Sequence, residues 1–270
     1  MTRDLRRAAA TMVVAVGVIS LLYVKPIYQM AGPQTILWVY DLTVVASALA
    51  GVGLSFLLWR SFSRGEVLKR IWGSLTLGLL LWTIGEVIWS YGQLLVGDHL
   101  PYPSLADIAW LAGYIAVAVG LLLRYRSLQM TPSNGWRRAV VWVFVTLATV
   151  IVAIVAVPII ATSGPVSFLE GMVNILYPIG DLAVAIGALL IALMLIGGAL
   201  SVPWGLVAAG CFCVAVSDLL YAFAVWHGAY QVAPVGGINL LTFVVNVLYA
   251  ASYLITDTGL YMQARLQRVI

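Results

Sequence analysis

Charge is what this chain has least of. Lys and Arg together number 14 and Asp and Glu 10 among 270 residues, so 9% of positions are charged, where soluble domains carry roughly 25%. Apolar residues make up 63%, and the mean hydropathy is +1.05. Too little polar material remains to clothe a particle in water. A soluble globular domain is excluded, and lipid is the solvent for most of the chain. Cysteine is nearly absent. Cys211 and Cys213, the only two, lie two apart in an apolar run and diverge on a helix, which supports neither a disulfide framework nor a zinc site. Enzyme signatures are missing too: there is no nucleophile elbow, HExxH, P-loop or GxGxxG after a strand. A non-enzymatic role is expected, with no cofactor evident from motifs. No basic face interleaved with aromatics occurs, so nucleic acid is not an expected partner.

What is present is a set of long apolar runs. A bilayer core of ~30 Å takes about 20 apolar residues per helix, and eight runs qualify: 8–30, 36–59, 71–96, 105–123, 139–160, 172–198, 204–226 and 238–262. Pro, Gly or charge bounds them, and the ~10-residue alternation of a membrane barrel is absent. The expected fold is all-α, a polytopic integral membrane protein of eight transmembrane helices. Lys and Arg orient it. Thirteen of the 14 basic residues fall before the first run, between the second and third, between the fourth and fifth, or after the eighth. The exception is Lys25. With eight spans these segments share one side, so both termini are expected in the cytoplasm.

The runs repeat in fours. Asp41 of the second run matches Asp181 of the sixth at an offset of 140 residues, and Glu86-Val87-Ile88-Trp89 matches Asp218-Leu219-Leu220-Tyr221 at 132. Asp107-Ile108-Ala109-Trp110, with Tyr114 beyond, matches Asn246-Val247-Leu248-Tyr249, with Tyr253 beyond, at 139. Pro26 and Pro158 close the first and fifth runs at 132. Residues 1–123 and 139–270 read as two four-helix repeats joined by a basic cytoplasmic linker, 124–138. An even number of helices per unit makes the repeats parallel, unlike the inverted repeats of many transporters.

Acids inside spans are expensive and turn towards protein or a watery cavity. Asp41, Glu86, Asp107, Asp181 and Asp218 all fall in the outer half of the membrane, as does Asn246, with only Lys25 as a base in that layer. Aromatics sit one turn away: Trp89, Trp110, Tyr221 and Tyr249 at i+3, and Tyr177 four residues before Asp181. Carboxylates beside aromatic faces suit an organic cation. The same residues suit a polar network that fixes helix register, or an ion pathway. Glu86 and Asp218, equivalent in the two repeats, are expected to face each other. His99 and His227, in or beside matching outer connections, are weak metal candidates, with Asp98 next to His99. No metal site is assigned.

Pro103-Ser104-Leu105-Ala106-Asp107-Ile108-Ala109-Trp110-Leu111-Ala112-Gly113-Tyr114, Tyr177-Pro178-Ile179-Gly180-Asp181-Leu182 and Ser217-Asp218-Leu219-Leu220-Tyr221 carry a resemblance. Over roughly residues 80–255 the chain resembles the multi-span N-terminal membrane sensor regions of bacterial signalling proteins, which precede diguanylate cyclase (GGDEF), phosphodiesterase (EAL) or histidine kinase domains. The resemblance implies sensing in the plasma membrane of a prokaryote. With no output domain after the eighth run, the chain is read as a separated sensor module, a stand-alone relative that works through a partner, or a relative put to another use; a signalling output protein or membrane complex subunits are the expected partners. The alternative is an accessory subunit of a larger integral membrane complex, handling pigments or electrons; a small-cation transporter ranks third.

Overall fold

A computed structural model describes residues 3–96, 101–128, 135–162 and 168–270. Among these there are nine α-helices and no strand: α1 (Arg3–Leu22), α2 (Lys25–Ala31), α3 (Pro33–Arg60), α4 (Val67–Tyr91), α5 (Leu105–Ser127), α6 (Gly135–Thr162), α7 (Phe168–Met194), α8 (Ser201–Trp226) and α9 (Leu240–Leu266). One π-helical segment, Gly92–Val96, prolongs α4. Helix ends follow local chemistry. Ser104 caps α5 in a reciprocal box with Asp107, and the Asn239 side chain accepts from the Thr242 N–H at the start of α9. Gly32, at φ 85°, makes the sharp entry into α3 ahead of Pro33.

Among the described residues six helices are long and apolar enough to cross a bilayer: α3, α4 with its π segment, α5, α7, α8 and α9. The first apolar run departs from the expectation of one straight helix. It breaks after Leu22 into α1 and α2, bent by 75°. Pro26 explains the position, because its ring excludes the carbonyl four residues back, that of Leu22. Counted as one broken span, the pair brings the total to seven. The apolar stretch Arg138–Ile154 of α6 is shorter, although the helix continues through Pro158. Lys25 is exposed at the start of α2. Of the 124–138 linker, Arg124 and Arg126 belong to the last turns of α5, while Pro132 and Asn134 lie outside the described residues.

Six helices close a ring in the order α3, α4, α5, α7, α8, α9 and back to α3, with α1 against α9, and α6 against α7 and α8. Small residues allow the closest approaches. A Cβ on Gly78 of α4 would stand 2.4 Å from Val117 Cγ2 and 2.9 Å from the Val117 nitrogen on α5. Direction follows from paired positions. Gly180 and Gly187 of α7 meet Tyr114 and Leu121 of α5, so these two helices are parallel. Val44 and Gly51 of α3 meet Ala250 and Asp257 of α9, so they are parallel too. The chain between α5 and α7 must therefore return from one end of the bundle to the other. At ~1.5 Å per residue the 28 residues of α6 reach about 42 Å.

The basic residues gather at one end. Arg60, Lys69, Arg70, Arg124, Arg126, Arg265 and Arg268 all sit where α3, α5 and α9 finish and α4 begins. There the Lys69 ammonium donates to the Phe62 carbonyl at 2.7 Å and lies 4.9 Å from the Trp59 ring. Large apolar side chains such as Leu42, Leu77, Ile108, Ile115, Ile179 and Val202 are exposed around the bundle, as a lipid-facing surface requires.

Candidate functional site

Inside the ring lies a cavity of about 1040 Å³. It runs from Tyr102 and Tyr230, in the connections remote from the basic end, down to Trp72, Leu121, Trp204 and Leu260. Glu86, Asp218, Asp107, Asp181, Asp41, Asn246, Trp89, Trp110, Tyr177, Tyr221 and Tyr249 all line it, and so does Asp257. Six carboxyl groups thus share one space, and among the described residues no Lys or Arg lines it. Asp41, Glu86, Asp107 and Asp181 are each at most 6% exposed.

Each carboxyl is met differently. Glu86 Oε1 accepts from Trp110 Nε1 at 3.0 Å, Tyr249 Oη at 2.5 Å and Tyr253 Oη at 2.8 Å, which ties α4 to α5 and α9. Asp107 Oδ1 accepts from Tyr177 Oη at 2.8 Å, while its Oδ2 accepts from the Ser104 N–H at 2.6 Å and Ser104 Oγ at 3.0 Å. Tyr114 Oη donates to Asp181 Oδ1 at 2.5 Å and approaches Asp218 Oδ2 at 3.5 Å. Asp257 Oδ2 accepts from Ser47 Oγ at 2.6 Å. Asp41 Oδ2 is buried and has no partner among the described residues.

The aromatics work across helices and not along them. Trp110 serves Glu86 of α4, although its i–3 neighbour is Asp107. Tyr177 serves Asp107 of α5, not Asp181 on its own helix. Glu86 and Asp218, expected to face each other, line the same cavity, and no hydrogen bond links them among the described residues. Glu86 is taken up by α5 and α9, and Asp218 is linked through Tyr114 to Asp181. At the upper end, Tyr230 Oη donates to Asn246 Oδ1 at 2.9 Å, and Asn246 Nδ2 donates to Tyr23 Oη at 3.2 Å. Tyr102 Oη donates to Asn174 Oδ1 at 2.5 Å. Burial raises Tyr102 and Tyr230 above the usual phenol range, which keeps both as donors.

Sequence reasoning overlooked Asp257, Tyr23, Tyr40, Tyr102 and Tyr230 as cavity residues. Asp257 had a signal, an ionisable residue within the eighth run. The tyrosines lie in or near helix ends, where their depth depends on the fold of the connections. His227 caps α8, its ring 4.3 Å from that of Phe223 and 4.5 Å from that of Trp226, and it does not line the cavity. His99 and Asp98 lie outside the described residues. Among the described residues no three His, Cys, Asp or Glu side chains group as metal ligands. No family model, curated protein or solved structure matches the chain.

Proposed function

We propose that the chain is a non-enzymatic membrane sensor that binds a small ligand in the acidic and aromatic cavity. One observation carries the reading: residues from both halves of the chain converge on a single space, with six carboxyls and no lining base among the described residues. A cavity of this size lies at the upper limit of the range for small-molecule sites. The resemblance of the 103–114, 177–182 and 217–221 segments to bacterial sensor regions supports the same role.

The architecture we infer is eight crossings in two parallel repeats, 1–123 and 139–270, with both termini in the cytoplasm of a prokaryote. The ring supports it. Within the first half α3 neighbours α4 and α4 neighbours α5; within the second, α7, α8 and α9 do the same; α5–α7 and α9–α3 are the two seams. The parallel course of α5 and α7 calls for a return crossing by α6. The symmetry stops at the outer helices, since α1 packs on α9 but α6 packs on α7 and α8. With Cys211 and Cys213 changed to Ser, Ser127→Cys is expected to react in intact cells only with membrane-permeant thiol reagents. Labelling by an impermeant reagent would overturn the orientation.

Purification from native membranes tests the function. A lone protein whose melting temperature rises with a small molecule is the expected outcome; saturation at 100 times Kd would add about 2.7 kcal/mol. Stoichiometric co-purifying membrane subunits or a visible absorption band would instead assign an accessory role.

A further inference from the structure

One acid in the cavity lacks what its neighbours have. Asp41 is 3% exposed and lines the cavity, yet its Oδ2 meets no donor among the described residues. A buried carboxylate oxygen without a donor is unfavourable. The two halves of the chain differ here. Tyr114 serves Asp181, but its counterpart Tyr253 turns to Glu86 and leaves Asp41, the counterpart of Asp181, open. Tyr23, Tyr40 and Tyr230 line the same cavity as Asp41, and the Tyr23 ring lies 6.3 Å from that of Tyr40. Further along, the lining turns apolar with Val44, Ala48, Leu75 and Leu79.

We propose that the cavity takes a protonated amine with an apolar body, whose N–H donates to the Asp41 carboxylate among the cavity-lining Tyr23, Tyr40 and Tyr230. This rests on reading the chain as a ligand-binding module. The chemistry is selective. A quaternary ammonium has no hydrogen to donate, and an anion meets uncompensated acids. A divalent metal wants several oxygens in one shell, whereas the oxygens of Glu86, Asp107 and Asp181 that bind tyrosines are already in use. An ammonium gains from both the carboxylate and the ring faces. The apolar body fills the lower cavity.

The test uses the full chain in lipid nanodiscs, with octylammonium, octanol and octanoate as probes, measured by equilibrium dialysis against empty nanodiscs. Octylammonium is expected to bind one per protein and at least tenfold tighter than octanol, with octanoate weakest. Asp41→Asn should weaken octylammonium at least tenfold and leave octanol unchanged. If that variant fails to fold, Tyr40→Leu should weaken the amine about fivefold while Tyr40→Phe, which keeps the ring, does not. Equal binding of octanol and octylammonium overturns the amine assignment but leaves the ligand-binding reading standing. The same holds if none of the three binds while another small molecule raises the melting temperature. Octylammonium binding that neither Asp41→Asn nor Tyr40→Leu weakens overturns Asp41 as the anchor.

Discussion

Glu86→Leu is expected to destabilise the protein by about 3–6 kcal/mol, and Glu86→Gln by under ~2 kcal/mol. One oxygen of Glu86 accepts from Trp110, Tyr249 and Tyr253, and the residue is 3% exposed. Leucine leaves three buried donors with no acceptor, each worth about 1–3 kcal/mol when stranded, with less than full additivity. Glutamine keeps a carbonyl oxygen in the same place. The donors come from α5 and α9, so the loss is felt at the α4–α5 contact and across the cavity together. Unfolding of the purified protein in mixed detergent, titrated with a denaturing detergent, measures both variants. Equal loss in the two would mean that the charge of Glu86, and not its role as acceptor, holds this part of the bundle.

Tertiary packing, and not local sequence, sets the partners of Glu86. The depth of Glu86 is legible in the sequence, because an acid inside an apolar run must turn away from lipid. Its equivalence with Asp218 is legible from the repeat. Its partners are not. Spacing along one helix says which side chains share a face, whereas Trp110, Tyr249 and Tyr253 reach Glu86 from two other helices. Which helices neighbour α4 depends on how the ring closes, and the seams α5–α7 and α9–α3 leave no local mark in the chain.

The apolar runs show a similar division. Their length and their Pro, Gly and charged borders indicate helices correctly over α3, α5, α8 and α9. Pro26 is visible within the first run, but a proline there permits either a gentle kink or a break. The bend of 75° depends on Tyr23 and Tyr28 finding places inside the bundle, where Tyr28 is 1% exposed. Pro158 has the matching position, yet α6 passes through it as a helix. Equivalent sequence signals thus meet different surroundings. The asymmetry has a consequence for the site: the break in α1–α2 brings Tyr23 beside Asn246 and near Asp41, and the second half has no counterpart to that tyrosine.

Tyr114→Phe is expected to cost about 2–4 kcal/mol, and Tyr177→Phe about 1 kcal/mol. Both changes remove only a hydroxyl, so ring packing is kept; Tyr114 retains its edge contact with Trp82, ring centroids 5.2 Å apart. The difference lies in what each carboxyl has left. Asp107 loses Tyr177 but still accepts twice from Ser104. Asp181 and Asp218 lose the only donor described for either, and they face each other across the gap without a base to compensate them. Adding Asp181→Asn to Tyr114→Phe should recover part of the loss, because it removes one of the two stranded acids, and a double-mutant cycle reads that coupling directly. An equal cost for the two phenylalanine variants would show that ring placement, and not the supply of donors, holds the acids in the cavity. The expected order would instead make Tyr114 the strut that lets two acids from α7 and α8 stand side by side in the cavity.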